Sequence, residues 1–135
     1  MTSIVVDASA VLAVIMHEHL DAAKVANCFA NYAPIAPWLW RLEVTNALLV
    51  KERRKLLTSD TISEHLRRVD AFPVELISPE ATLGAAKLAD FARPYQLTAY
   101  DATYLDLAIR RNLPLCTLDS NLRIAAARAG VVVLP

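Results

Sequence analysis

Hydrophobic positions along the chain fall into short apolar runs, and these alternate with longer stretches in which apolar residues recur at helical spacing. "SIVVD" (3–7) is β-branched and too brief for a helix, so it reads as a fully buried strand. "ASAVLAVIM" (8–16) turns helical and "HLDAAKVANCFANY" (19–32) continues as a second helix. "API" (33–35) is a weak strand. "PWLWRLEVTNALLV" (37–50) is nearly all apolar and reads as a buried helix behind Pro37, running on into "KERRK" (51–55). "TSDTISEHLRRVDAF" (58–72) places Ile62, Leu66 and Val69 at helical spacing and stops at Pro73. "VELI" (74–77) is a third strand. The helix expected next, "SPEATLGAAKLADFA" (78–92), opens with Ser78 as N-cap and Pro79 at the first helical position. "TAYDATYLDLAIRRN" (98–112) is a helix, "LPLCTL" (113–118) a strand, "SNLRIAAARAG" (120–130) a helix ending at Gly130, and "VVVL" (131–134) the last strand.

About five short strands alternating with helices predict an α/β protein with a parallel sheet covered on both faces. In such sheets ligands bind outside the carboxyl ends of the strands. The length, 135 residues, fits a single domain spanning 1–135. With 56% hydrophobic residues and only two glycines, disorder and low complexity are excluded. Lys plus Arg balances Asp plus Glu at 14 each, so any nucleic-acid contact has to come from a local patch. Cys28 and Cys116 show no metal or redox spacing, which fits a reducing cytoplasm. The apolar start has no Lys or Arg ahead of it and Asp7 interrupts it, unlike a signal peptide. No uncharged run reaches membrane-spanning length, so a soluble cytoplasmic protein is expected.

This frame gives meaning to four carboxylates. Asp7 closes the first strand and Asp119 follows the fourth; Asp101 begins the helix leading into the fourth, and Glu43 lies in the first turns of the helix after the second. At 100° per residue, Glu43 shares its face with Leu39, Trp40, Asn46, Ala47 and Val50, and a carboxylate among such residues needs a partner. Parallel strands bring Asp7 and Asp119 to one sheet edge, where the helix starts carrying Glu43 and Asp101 can join them. Four carboxylates so placed repel one another unless a cation neutralises them, and hard ions such as Mg²⁺ or Mn²⁺ take oxygen ligands. Singly, each residue also has a structural reading. Asp7 and Asp119 are natural N-caps, and "TAYD" makes Thr98 and Asp101 a passable capping box. Glu43 has no capping role, and its plainest alternative is a snorkelling surface residue.

The blocks "IVVDASAVLAVI", "RLEVTNAL", "LTAYDATYLDLA" and "CTLDSNL" together resemble the PIN-domain ribonucleases, above all the VapC toxins of bacterial toxin–antitoxin pairs. Each block is weakly specific alone; four in the family's order across almost the whole chain are strongly so. The resemblance implies a PIN-like α/β/α sandwich and an acidic quartet of Asp7, Glu43, Asp101 and Asp119. Ser9 and Asn46 are softer matches to polar positions. The implied reaction is Mg²⁺- or Mn²⁺-assisted hydrolysis of an RNA phosphodiester, with Asp7 and Asp101 nearest the metal and Glu43 and Asp119 completing the site. It further implies a cognate antitoxin as partner, and a tRNA or ribosomal RNA loop as substrate.

RNA also needs cations near the cleft. "KERRK" (51–55), Arg67 with Arg68, and Arg110 with Arg111 could supply a basic rim, although charge runs are mostly solvated helix faces. Tyr100 and Tyr104 flank Asp101 and could stack a base, or pack with a wetted hydroxyl. His17, His19 and His65 show no paired-ligand spacing and read as surface residues. An aspartyl-nucleophile phosphatase would need Asp where Ser9 stands, and a receiver domain would need an Asp ending the strand before "SPE". The remaining alternative is a non-catalytic PIN-like module acting through an antitoxin or operator complex. A mean hydropathy of +0.35 in 14.8 kDa leaves apolar surface to cover, which fits a homodimer with a groove for an antitoxin helix.

Overall fold

Strand β1 (Ser3–Val6) and helix α1 (Ala8–Met16) are separated by one residue, Asp7, whose side chain accepts the Ala10 N–H and so starts the helix. The structure, a computed structural model, describes residues 1–17, 19–79 and 83–135. After α2 (Ala22–Asn31) come β2 (Ala33–Pro37), α3 (Trp40–Arg53), α4 (Ser59–Ala71) and β3 (Glu75–Ile77). Then follow α5 (Ala85–Ala92), α6 (Ala99–Arg111), β4 (Leu115–Cys116), α7 (Ser120–Arg128) and β5 (Val133–Leu134). The strands form one parallel sheet in the order β3-β2-β1-β4-β5, flanked by helices, which is the α/β/α arrangement the alternating pattern predicts. Among the described residues no helix is long and apolar enough to cross a membrane.

Two prolines sit inside β2 although it is not an edge strand. Pro34 pairs with Ile4 before the pairing to β3 begins at Ile35, and Pro37 lies beyond the last β1 partner, so neither interrupts a run of ladder bonds. The buried centre of the molecule is α6, whose residues Ala102 to Ala108 are all shielded and which packs against β1, β2 and β4. Thr98 caps it through the Asp101 N–H at 3.1 Å, and Asn112 ends it in the left-handed conformation that Asn tolerates (φ 52°).

Several expectations change. The helix expected from Ser78 and Pro79 is described only from Ala85, because Gly84 is extended and a helix cannot run back through it; residues 80–82 lie outside the described residues. The second helix starts at Ala22 rather than at residue 19. The segment 37–50 is not a helix buried all round. Trp40, Val44 and Leu48 turn inward at i, i+4 and i+8, while Trp38, Leu42 and Leu49 are exposed by 41%, 60% and 42%. A single face of α3 meets the core, so its remaining apolar residues form an outer stripe. His65 is not a surface residue: it shares the inward stripe of α4 with Ile62 and Val69, and its Nδ1 has no hydrogen-bond partner among the described residues.

The split of α3 can be measured at two adjacent leucines. Leu48→Ala removes a fully buried side chain and is expected to cost about 2–5 kcal/mol in urea unfolding. Leu49→Ala, on the exposed stripe, should stay within about 0.5 kcal/mol at low protein concentration. Equal losses would refute this assignment of faces.

Candidate active site

From β1 the chain leads to β2 and β3 on one side, whereas β4 and β5 lie on the other, so the carboxyl ends of β1 and β4 meet where the strand order reverses. This is where open parallel sheets leave a crevice. The register pairs Val6 with Cys116, and one residue further Asp7 and Thr117 stand side by side. Thr117, fully buried, donates its hydroxyl to Asp7 Oδ2, and its oxygen accepts the Asp119 N–H at 3.0 Å. The Ser9 hydroxyl lies 2.7 and 2.9 Å from the two Asp7 oxygens and accepts the Leu118 N–H at 3.1 Å. The Asp7 carboxylate thus has three donors, namely Ser9, Thr117 and the Ala10 N–H.

Helices α3 and α6 begin at the same edge and bring in the other carboxylates. Asp7, Glu43, Asp101 and Asp119 line one cavity of about 180 Å³ together with Ala8, Ser9 and Tyr104, and among the described residues no basic side chain lines it. Asp119 N-caps α7 by accepting the Leu122 N–H at 2.9 Å. Capping and membership of the acidic cluster therefore coexist in Asp7 and Asp119. Glu43 Oε1 accepts the Tyr104 hydroxyl at 2.6 Å, a length typical of a charge-assisted bond.

The electrostatics follow from burial and repulsion. Burial pushes Asp7 above the usual carboxylate range, against the hydrogen bonds from Thr117, Ala10 and Ser9, and Asp119 adds a smaller upward push. Glu43 is raised by burial, with Tyr104 pulling back. Asp101 is raised to about 6 by burial and then by Asp119, Asp7 and Glu43. Tyr104 stays protonated, its acidity suppressed by burial and by the Glu43 it serves.

The donor set is all hard oxygen with surplus negative charge, which suits Mg²⁺ or Mn²⁺. Among the described residues no three His, Cys, Asp or Glu side chains are arranged to hold an ion as they stand. An ion held by one or two carboxylates and its own waters suits such a donor set, and Mg²⁺ commonly binds in that way.

The PIN domain family model matches residues 4–128. The chain belongs to the PIN domain family. Members of this family are usually nucleases and generally use divalent metals. No curated protein matches this PIN domain significantly in sequence. Among solved structures it is similar to PAE2754 from Pyrobaculum aerophilum, at 26% identity and a TM-score of 0.71, over 98% of this chain and 83% of that one. VapC20 from Mycobacterium tuberculosis, described as a sarcin-ricin loop cleaving toxin, shares 16% identity at a TM-score of 0.64, over 98% of this chain and 100% of that one. FitAcB from Neisseria gonorrhoeae shares 14% identity at 0.63, over 98% and 96%. The last two likenesses show the fold.

Other expected residues of this PIN domain lie elsewhere. Asn46 is exposed and does not line the cavity. Tyr100 is 62% exposed, whereas Tyr104 is only 1% exposed, so its ring can stack no base and its hydroxyl donates to Glu43. Arg110 pairs with Asp106 at the far end of α6 from Asp101, and Arg67 and Arg68 pair with Glu64. Of "KERRK", Lys51 lines a cavity of about 230 Å³ that adjoins the acidic one through Ser9 and also contains Leu12, Met16 and His19. Thr117 was missed by sequence reasoning; its signal was a hydroxyl residue two places before Asp119 at a strand end.

Because Asp101 is raised in the folded chain, the fold binds its proton more tightly than the unfolded chain does. Without metal, its charge is destabilising above about pH 6, and this cost fades as pH falls toward its ordinary value of 3.8. The melting temperature of Asp101→Asn minus that of the parent, measured in chelator, should therefore be more positive at pH 7.5 than at pH 4.5. A difference that does not vary with pH would refute this.

Proposed function

We propose that this PIN domain, residues 1–135 acting as one unit, is a metal-dependent endoribonuclease and the toxin of a toxin–antitoxin pair. The observation that carries the reading is the gathering of Asp7, Glu43, Asp101 and Asp119 around one cavity that no basic side chain lines among the described residues, at the reversal point of a parallel sheet. Bound Mg²⁺ or Mn²⁺ would supply Lewis-acid polarisation of the phosphodiester and a more acidic water. Asp7 and Asp101 would hold the ion. Asp7 is fixed by its three donors and keeps lone-pair capacity for one more bond, since an ionised carboxylate offers about four acceptor sites. Glu43 and Asp119 would complete the surroundings of the ion or position the attacking water. RNA lying along the adjoining groove would meet Lys51, which offers a point charge for a phosphate.

The toxin reading is supported by the fold shared with VapC20, and by the outer apolar stripe of Trp38, Leu42 and Leu49, which suits a homodimer or an antitoxin helix. A cytoplasmic site of action follows from that reading.

Asp7→Asn and Asp101→Asn should each lower Mg²⁺-dependent RNA cleavage by about 100-fold or more, since even partners of metal ligands contribute ~10–100-fold. Both should remain folded by circular dichroism. Near-parental cleavage by the folded variants, or equal cleavage in chelator, would sink the metal-site assignment and leave a non-catalytic module. Expression of the chain alone should arrest bacterial growth, and co-expression of its antitoxin should restore it. Unhindered growth at confirmed soluble expression would remove the toxin role and leave a nuclease of other purpose.

A further inference from the structure

The phenol of Tyr104 poses a problem of buried polarity. Its ring is 1% exposed in the middle of α6, and a buried hydroxyl without a partner is costly. Its partner is Glu43 Oε1 on α3, 61 residues away in sequence. No other hydrogen bond to the Glu43 carboxylate occurs among the described residues. Asp7 has three donors and Asp119 has the Leu122 N–H, but Glu43 has Tyr104. Without that hydroxyl, a side chain with three rotatable bonds lining the cavity would be free to change rotamer. Asp101 and Tyr104 are three residues apart on α6, so one helical face presents a carboxylate and the donor that fixes another.

We infer that Tyr104 is a positioning residue: its hydroxyl occupies Oε1 of Glu43, fixes that side chain against the acidic cavity, and leaves Oε2 to face the cation and its waters. The inference rests on the metal-dependent reading above. It implies that Glu43 acts through one oxygen, and that the distance between α3 and α6 sets where that oxygen stands. A merely structural tyrosine, satisfied by Glu43, would affect folding but not the ion.

Tyr104→Phe deletes only the hydroxyl and keeps the buried ring. Mg²⁺ is titrated into the parent, Tyr104→Phe, Glu43→Gln and the double variant, and its effect is followed both as a rise in melting temperature and as cleavage of a model RNA. Tyr104→Phe should raise the half-saturating Mg²⁺ concentration about tenfold, the low end for partners of metal-site residues. It should lower kcat and leave KM for RNA unchanged. In the Glu43→Gln background it should add less than about twofold, because the two groups act as one unit. Parental Mg²⁺ half-saturation in Tyr104→Phe, or penalties that multiply in the double variant, would overturn the inference while leaving the nuclease reading intact. A parent neither stabilised nor activated by Mg²⁺ overturns both, which separates the two failures. Should Tyr104→Phe fail to fold, the carboxylate side decides. In chelator, Glu43→Ala orphans the hydroxyl and should melt lower than Glu43→Gln, which still accepts it; equal melting overturns the bond itself.

Discussion

A carboxylate buried at the end of the central strand is the constraint on which the rest of this structure depends. Asp7 has almost no contact with water, and in a low-dielectric setting an ionised group survives only with donors around it. Those donors come from three places: the first turn of α1, Ser9 within it, and Thr117 beyond β4. The pairing of β1 with β4 must therefore keep its register, since a slip of one residue would turn Thr117 away from Asp7. The turn into α7 is drawn into the same arrangement, because the Thr117 oxygen accepts the Asp119 N–H and Ser9 accepts that of Leu118. Sheet register, helix start and strand exit are thus one hydrogen-bonded unit with Asp7 at its centre.

The three other carboxylates are anchored to different degrees, and this difference has chemical meaning. Asp119 is held by the helix it caps and Glu43 by Tyr104. Asp101 belongs to a helix whose cap, Thr98, serves its backbone N–H, and it feels repulsion from all three of the others. Burial first, and then the three neighbouring carboxylates, push it to about 6. Sites of this kind give up stability for function, and a ligand that binds only the folded state returns it by mass action.

The strand–helix alternation was legible because buried parallel strands are short apolar runs and their helices are amphipathic. The edge at which Asp7 and Asp119 meet followed from strand direction alone. What escaped the sequence depended on distances across the fold. The bond from Tyr104 to Glu43 joins two helices whose rotation about their axes no periodicity specifies, so Tyr104 read as a packing residue with a wetted hydroxyl or, less often, as a stacking one. Thr117 looked like an ordinary strand residue because its role needs the register with Val6 and Cys116. Leu42 and Leu49 read as core because hydrophobicity records what a residue tolerates; which face of α3 meets the sheet is decided by packing. His65 failed in the opposite sense, a polar residue on an inward stripe.

Helix α6 shows why core and site are not separable in this molecule. Its middle is buried against β1, β2 and β4, and its first turn carries Asp101 into the acidic cavity. Tyr104, one turn on, ties it to α3 through Glu43. At its far end the nearly buried Asp106 holds Arg110 at 2.8 Å, which removes that cation from any role beside the cavity and leaves Lys51 as the basic residue in the adjoining groove. A helix packed on three strands cannot slide along one of them, because interiors are close-packed and transmit displacement. The position of Asp101 relative to Asp7 therefore depends on buried side chains of α6 such as Leu105 and Ala108, which do not line the acidic cavity. The hydrogen bonds around Asp7 are local to β1, α1 and the residue after β4, whereas the Glu43–Tyr104 bond joins two helices and depends on how both are packed.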